Sequence, residues 1–157
     1  VTEIRQADPS DPGFARLLGA HASLGVATTP ADSDHMLTFK GPRPKNLTFW
    51  LAVDPDGAPA GMAALRALPC GDGELKSMHV ALAARGGGIG GALLATVIAE
   101  ARARGMPALR LETGTHPAYA PARALYARHG FDKTGPFGDY RPDPHCAYMV
   151  LGLTAKS

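Results

Sequence analysis

The run Arg85-Gly86-Gly87-Gly88-Ile89-Gly90-Gly91 is the stretch of this chain with the clearest chemistry. Glycines let backbone N–H groups approach an anion with no side chain in between. Leu93, Leu94, Val97, Ile98 and Ala101 follow at helical spacing, so the run opens a helix. A helix start carries unpaired amides and the positive end of the dipole, both of which attract negative charge. Leu75, Met78, Val80 and Leu82 precede it as an apolar strand. Strand, glycine loop and helix together predict a diphosphate site. The run also satisfies the dinucleotide spacing GxGxxG, and Glu112 lies where a ribose-binding acid is expected. Residues 81–84 separate the strand from the glycines, however, and too little chain follows for a second nucleotide-binding half. A triphosphate loop fails because Ala92 and Leu93 stand where Lys and Ser or Thr are needed.

Other chemistries find less support. The six histidines are scattered without metal-ligand spacing, and Cys70 and Cys146 form neither a metal motif nor a disulfide framework. A formal charge of +2 with no Lys/Arg tract gives no reason to expect nucleic acid as a partner. No segment approaches the ~20 apolar residues of a membrane span, and the first residues carry no signal-peptide pattern. The expectation is one cytoplasmic domain over residues 1–157, with a homodimer left open.

The elements that must position the loop follow from periodicity. Strands are predicted over 2–7, 47–53, 61–68, 74–80, 109–113, 131–135 and 147–153, and helices over 12–26, 90–104 and 121–129. Asp11 is expected to cap the helix over 12–26, Asp54-Pro55-Asp56-Gly57 to form a turn, and Gly105 and Gly130 to stop helices. Residues 28–46 are rich in Pro, Asp and Lys, with room for a short helix over 32–38.

This order, with the spacing Arg85, Gly88, Ile89, Gly90, the segment Ala124-Leu125-Tyr126 followed by Gly130-Phe131, and the strand 74–80, resembles the GNAT superfamily of N-acetyltransferases. Glu74-Leu75-Lys76-Ser77-Met78, Leu111-Glu112-Thr113-Gly114 and Gly135-Pro136-Phe137-Gly138-Asp139-Tyr140 are similar to a small bacterial subgroup of it. The resemblance implies an α/β fold with a mixed, mostly antiparallel central sheet flanked by helices and splayed at the acetyl-CoA strand.

It also implies roles. The backbone of Met78, His79 and Val80 would hold the pantetheine arm and supply an oxyanion donor, and residues Arg85, Gly86, Gly87, Gly88, Ile89, Gly90 and Gly91 would take the pyrophosphate of acetyl-CoA. Tyr126 would be the general acid: a phenol of pKa about 10 gives its proton downhill to a thiolate whose thiol has a pKa near 8.5. Glu74 would be the base, directly or through water, with Glu112 a second candidate or a structural partner. His79 suits a proton relay by type, although packing is the commoner use of a strand histidine. Tyr119 stands where many relatives carry a pantetheine-binding Asn, and His79 and His145 are further departures. His35, Lys76, Glu112, Tyr140 and His145, with Arg141, Asp139 and Asp143, are the polar candidates for the acceptor site. Strand alternation predicts Glu74, Lys76 and Met78 on one face and Leu75, Ser77 and His79 on the other. A lysine there suggests a substrate with a carboxylate beside its amine. The expected reaction moves acetyl from acetyl-CoA to a primary amine of a small molecule, such as an amino-acid derivative, by direct attack in a ternary complex. The rivals are a peptide or protein acceptor, a non-catalytic acyl-CoA sensor, and, last, a dinucleotide-binding module.

Overall fold

The computed structural model describes residues 2–8, 10–28 and 45–153; the expected helix over 32–38 and the candidate His35 lie outside them. In chain order the elements are β1 (Glu3–Ala7), α1 (Pro12–Thr28), β2 (Leu47–Val53), β3 (Pro59–Ala67), β4 (Gly73–Val80), α2 (Ile89–Ala103), β5 (Ala108–Gly114), α3 (Ala120–Arg128), β6 (Asp132–Thr134) and β7 (Cys146–Gly152). Single 3-10 turns, Leu82–Ala84 and Pro117–Tyr119, precede α2 and α3. The strands form one sheet in the order β1-β2-β3-β4-β5-β7-β6. Every neighbouring pair is antiparallel except β4 and β5, which run parallel.

Alternation along β2 shows how the sequence divides the molecule into layers. Leu47, Phe49 and Leu51 pack with Phe14 and Leu17 of α1 on one face of the sheet. Trp50 and Ala52 face the other core, with Leu93, Leu94 and Val97 of α2 and Tyr126 of α3. Phe14 and Phe49 meet edge to face at a centroid distance of 4.9 Å. The helices therefore cover both faces, α1 on one and α2 with α3 on the other.

The strand and helix limits depart slightly from the periodicity. β3 begins at Pro59 rather than at residue 61, because a register shift beside Val53 lets Pro59 pair with it. A proline is tolerated at a strand's first position, where its missing N–H costs no ladder bond. β6 is shorter than expected because Phe131 leaves the ladder for the core, where it is 3% exposed. α1 continues to Thr28, whose hydroxyl donates to the Leu24 carbonyl at 2.7 Å.

Two features open the middle of the sheet. β4 and β5 pair only from Gly73↔Leu109 to Leu75↔Leu111, although both strands continue beyond. Ser77 has φ 52°, and the β3–β4 register shifts across it, so that Met62 faces His79 while Ala64 faces Lys76. A residue at positive φ in a shifted register is a bulge, which bends its strand and re-aims the side chains after it. The simple alternation expected along β4 therefore fails. Met78 packs with Leu75 in the core under α2, and His79 reaches His21 of α1, on the same side as Lys76.

Candidate active site

The end of β4 that has parted from β5 borders a cavity of about 500 Å³, walled by Met78, His79 and Val80, the start of α2, and Tyr119, Leu125 and Tyr126. Gly86 (φ 85°) and Gly88 (φ 81°) take left-handed backbone that other residues adopt only with strain. Gly88 caps α2 without any side-chain bond, and the helix's first backbone bond runs from the Ala92 N–H to the Gly88 carbonyl. The amides of Ile89, Gly90 and Gly91 therefore have no intrahelical acceptor at the cavity edge. A Cβ on Gly90 would come within 3.2 Å of Leu125 Cδ2, so glycine is what lets α2 approach α3 there. The Arg85 Nε donates to the Val80 carbonyl at 3.1 Å, which folds this exposed cation back along β4.

Tyr126 enters from α3, and its ring tilts against Phe131. Burial, and then the Glu112 carboxylate, hold its phenol protonated well above the usual range. Tyr119 lies over Gly114, where a Cβ would strike its ring, and its hydroxyl meets Thr28 Oγ1 at 2.8 Å. The Tyr119 side chain thus ties the turn before α3 to the end of α1. Opposite them, His21 of α1 and His79 of β4 line the same cavity with Nδ1 atoms 3.2 Å apart. Burial is the main reason both rings lose proton affinity. For His21, His79 and Lys76 add to it and take the pKa down to about 4; for His79 the second cause is Arg85. Sequence reasoning missed His21. Its signal was the spacing Leu17, His21, Leu24, which puts a polar ring on the buried stripe of an amphipathic helix.

On the α1 side of β4, before the bulge, a buried polar network forms. Glu74 is 1% exposed and accepts from the Tyr140 hydroxyl at 2.7 Å, with Lys76 Nζ at 3.6 Å and Arg66 Nη1 at 3.7 Å. Lys76 Nζ donates to the same hydroxyl at 2.9 Å. Burial pulls the Lys76 ammonium's pKa down against the opposing pull of Glu74, and burial with Glu74 pushes the Tyr140 phenol's up. Glu112, one residue beyond the last β4–β5 pair, acts electrostatically on Tyr126, Tyr140 and Lys76 together, which sets it between the cavity and this network. Burial and Glu112 push the neighbouring Cys146 thiol up to about 12, so it is no nucleophile.

The structure thus brings Met78, His79, Val80, the glycine loop and Tyr126 to one cavity, and Glu74, Lys76 and Tyr140 to an adjoining network. His145 stands apart: it is exposed in the loop before β7, where its amide donates to Asp143 Oδ1. Asp139 and Arg141 are also exposed. No cluster of three or more metal-ligating side chains occurs among the described residues.

Residues 20–131 match the acetyltransferase (GNAT) family. The chain belongs to that family. It is 34% identical over 150 residues to the uncharacterized N-acetyltransferase YedL of Escherichia coli (strain K12), covering 96% of this chain and 94% of the relative. It is 41% identical over 125 residues to an IAA acetyltransferase of Azospirillum brasilense, covering 79% and 80%. A candidate acyl-CoA N-acyltransferase of Klebsiella pneumoniae superposes with a TM-score of 0.82 at 30% identity, over 98% of this chain and 99% of that one. This GNAT protein is thus an N-acetyltransferase that works with an acyl-CoA. The site suits such a donor. The parted strands offer backbone to an amide-bearing arm, and the uncapped start of α2 offers amides to a diphosphate.

Proposed function

We propose that the enzyme transfers acetyl from acetyl-CoA to the primary amine of a small molecule bearing both charges, such as an amino-acid derivative, by direct attack in a ternary complex. The observation that carries this reading is the parting of β4 from β5 over a cavity that also holds the start of α2 and the Tyr126 phenol. In this reading the loop from Arg85 to Gly91 binds the pyrophosphate, and the backbone of Met78, His79 and Val80 holds the pantetheine. A backbone N–H of that strand donates to the carbonyl oxygen as charge develops on it.

Two protons must leave an ammonium nitrogen before it becomes an amide, and one must reach the departing sulfur. Glu74 takes the first, through the Tyr140 hydroxyl that donates to it. Tyr126, kept protonated by its burial, gives its proton to the thiolate. The pairing of Glu74 and Glu112 with Lys76 and Arg66 supports a zwitterionic acceptor, since carboxylates and cations lie within one network. Lys76 and Tyr140 would meet the acceptor's polar groups, and Glu112 its ammonium.

Thermal unfolding with acetyl-CoA, CoA and NAD in parallel, followed by an amine and peptide panel, tests the proposal. A ligand at 100 times its Kd adds about 2.7 kcal/mol to the folded state. Stabilisation by both CoA forms, with turnover of amino-acid amines above peptides, is expected. Stabilisation by NAD alone, or peptide turnover above that of small amines, would overturn it.

A further inference from the structure

The reaction's proton balance leaves one proton unassigned, and the cavity holds one pair of groups with no assigned task. His21 and His79 touch Nδ1 to Nδ1 at 3.2 Å, ring edge to ring face, across the gap between α1 and β4. At that distance one nitrogen carries the hydrogen and the other accepts it. Neither Nε2 has a hydrogen-bond partner among the described residues. Neither is sealed: the buried side-chain atoms without a partner among the described residues are Arg66 Nε and Ser77 Oγ, neither of which lines the cavity. Both rings therefore present an open Nε2 to the space that Tyr126 also borders.

Resting on the acetyl-transfer reading above, we propose that His79, held by His21, takes the second proton from the acceptor nitrogen as the new C–N bond forms. The balance is complete. The nitrogen gives one proton to Glu74 and one to His79 Nε2, the C–S electron pair leaves with sulfur, and Tyr126 supplies the proton that makes the thiol. His79 then returns its proton to the Tyr126 phenolate, and Glu74 releases the one net proton to solvent. A nitrogen that has just bonded to carbonyl carbon is far more acidic than a free ammonium, so a weak imidazole base suffices at this step where it would fail at the first.

The pair's geometry decides which ring does the work. Two protonated rings would set N–H against N–H at 3.2 Å, so the pair accepts a single proton. That proton goes to His79, because His21 is the more deeply buried ring and has Lys76 as well as His79 facing it. Once protonated, His79 must donate its Nδ1–H to His21, whose Nδ1 then serves only as acceptor. His21 is thus a positioning residue: it fixes the ring, dictates the tautomer and shares the charge. Arg85 faces His79 from the glycine loop and opposes its protonation. A diphosphate bound at that loop offsets the Arg85 charge, so the base strengthens when the donor is in place.

Two measurements test this. The first is ¹⁵N NMR of the histidine rings in the intact enzyme. One Nδ1–H tautomer and uptake of one proton by the pair are expected; two independent rings, each titrating near 6.5, would overturn the proposal. The second is steady-state kinetics on a substrate the parent enzyme acetylates. His79→Gln should lower kcat about a hundredfold, with KM for acetyl-CoA nearly unchanged and the acidic limb of the kcat–pH profile lost. His21→Phe should also lower kcat, and His21→Asn, whose amide oxygen falls near the Nδ1 position, should restore much of it. A His79→Gln enzyme within about threefold of parent kcat would refute the role. A parent that acetylates no amine refutes the acetyl-transfer reading instead.

Discussion

Removing the Tyr126 hydroxyl with Tyr126→Phe isolates the proposed acid step from everything else the ring does. The ring stays 6% exposed and keeps its packing on Phe131. Its hydroxyl has no hydrogen-bond partner among the described residues and is not one of the sealed atoms, so its loss should change stability by less than about 0.5 kcal/mol. General acid catalysis is worth about 10²–10⁴ in rate, or about 3–5 kcal/mol at 1.36 kcal/mol per tenfold. A thiol with an ordinary pKa near 8.5 leaves tolerably unaided, so the lower end applies, a loss of about a hundredfold in kcat. Burial and Glu112 raise the phenol's proton affinity, so the parent should show no basic limb from Tyr126 up to its ordinary pKa of about 10. Thiol release, monitored at saturating acetyl-CoA and amine across pH, reads both quantities. A Tyr126→Phe enzyme that folds, binds CoA and retains kcat within about threefold would refute the assignment.

Gly88→Ala should cost about 1–2 kcal/mol, because φ there is 81°, and should weaken CoA affinity in a titration calorimeter by disturbing the amides of the loop. Phe14→Ala empties a site that is 0% exposed between α1 and β2 and should cost about 3–5 kcal/mol in urea unfolding. Lys76→Ala should cut turnover of amino acids more than that of simple amines, and equal loss on both would remove the carboxylate contact from the proposal. His21 has a folded pKa of about 4 against an ordinary 6.5, so the unfolded chain binds its proton first. Its contribution is therefore full above pH 6.5 and is lost as pH falls toward 4, a change of about 3 kcal/mol. Thermal scans over that window should show the parent losing stability relative to His21→Asn as pH falls.

How much of this was legible depended on whether the signal was local. The glycine loop and its helix could be read because strand, loop and helix lie within one short stretch, and each carries its own periodicity. The place of Tyr126 at the cavity was legible through its spacing from Gly130. The Ser77 bulge was not: a serine in an apolar strand gives no cue to positive φ, and the strain is set by the register that β3 imposes. The faces expected for Met78 and His79 failed for that reason alone. The partners of Glu74 were hidden in the same way, since Tyr140 and Arg66 reach it from separate elements, Tyr140 from 66 positions along the chain. The histidine pair joins residues 58 apart.

Burial acts on the cavity's groups in opposite senses, and that gives the site its direction. Desolvation disfavours whichever form is charged, so it raises the proton affinity of the Tyr126 phenol and lowers that of the His21 and His79 rings. Near neutral pH the phenol therefore rests as a donor and the imidazole as an acceptor, within one apolar wall. Groups whose environments separate their proton affinities in this way are suited to acid and base work. In the proposed reaction both groups are neutral when the substrates enter and charged only while the bond exchange lasts. In that proposal an imidazolium and a phenolate lining one cavity neutralise each other by passing one proton. The packing that buries these groups is supplied by α1, which carries His21, on one side and α3, which carries Tyr126, on the other. The catalytic poise of the site and the stability of its two helix faces therefore rest on the same contacts.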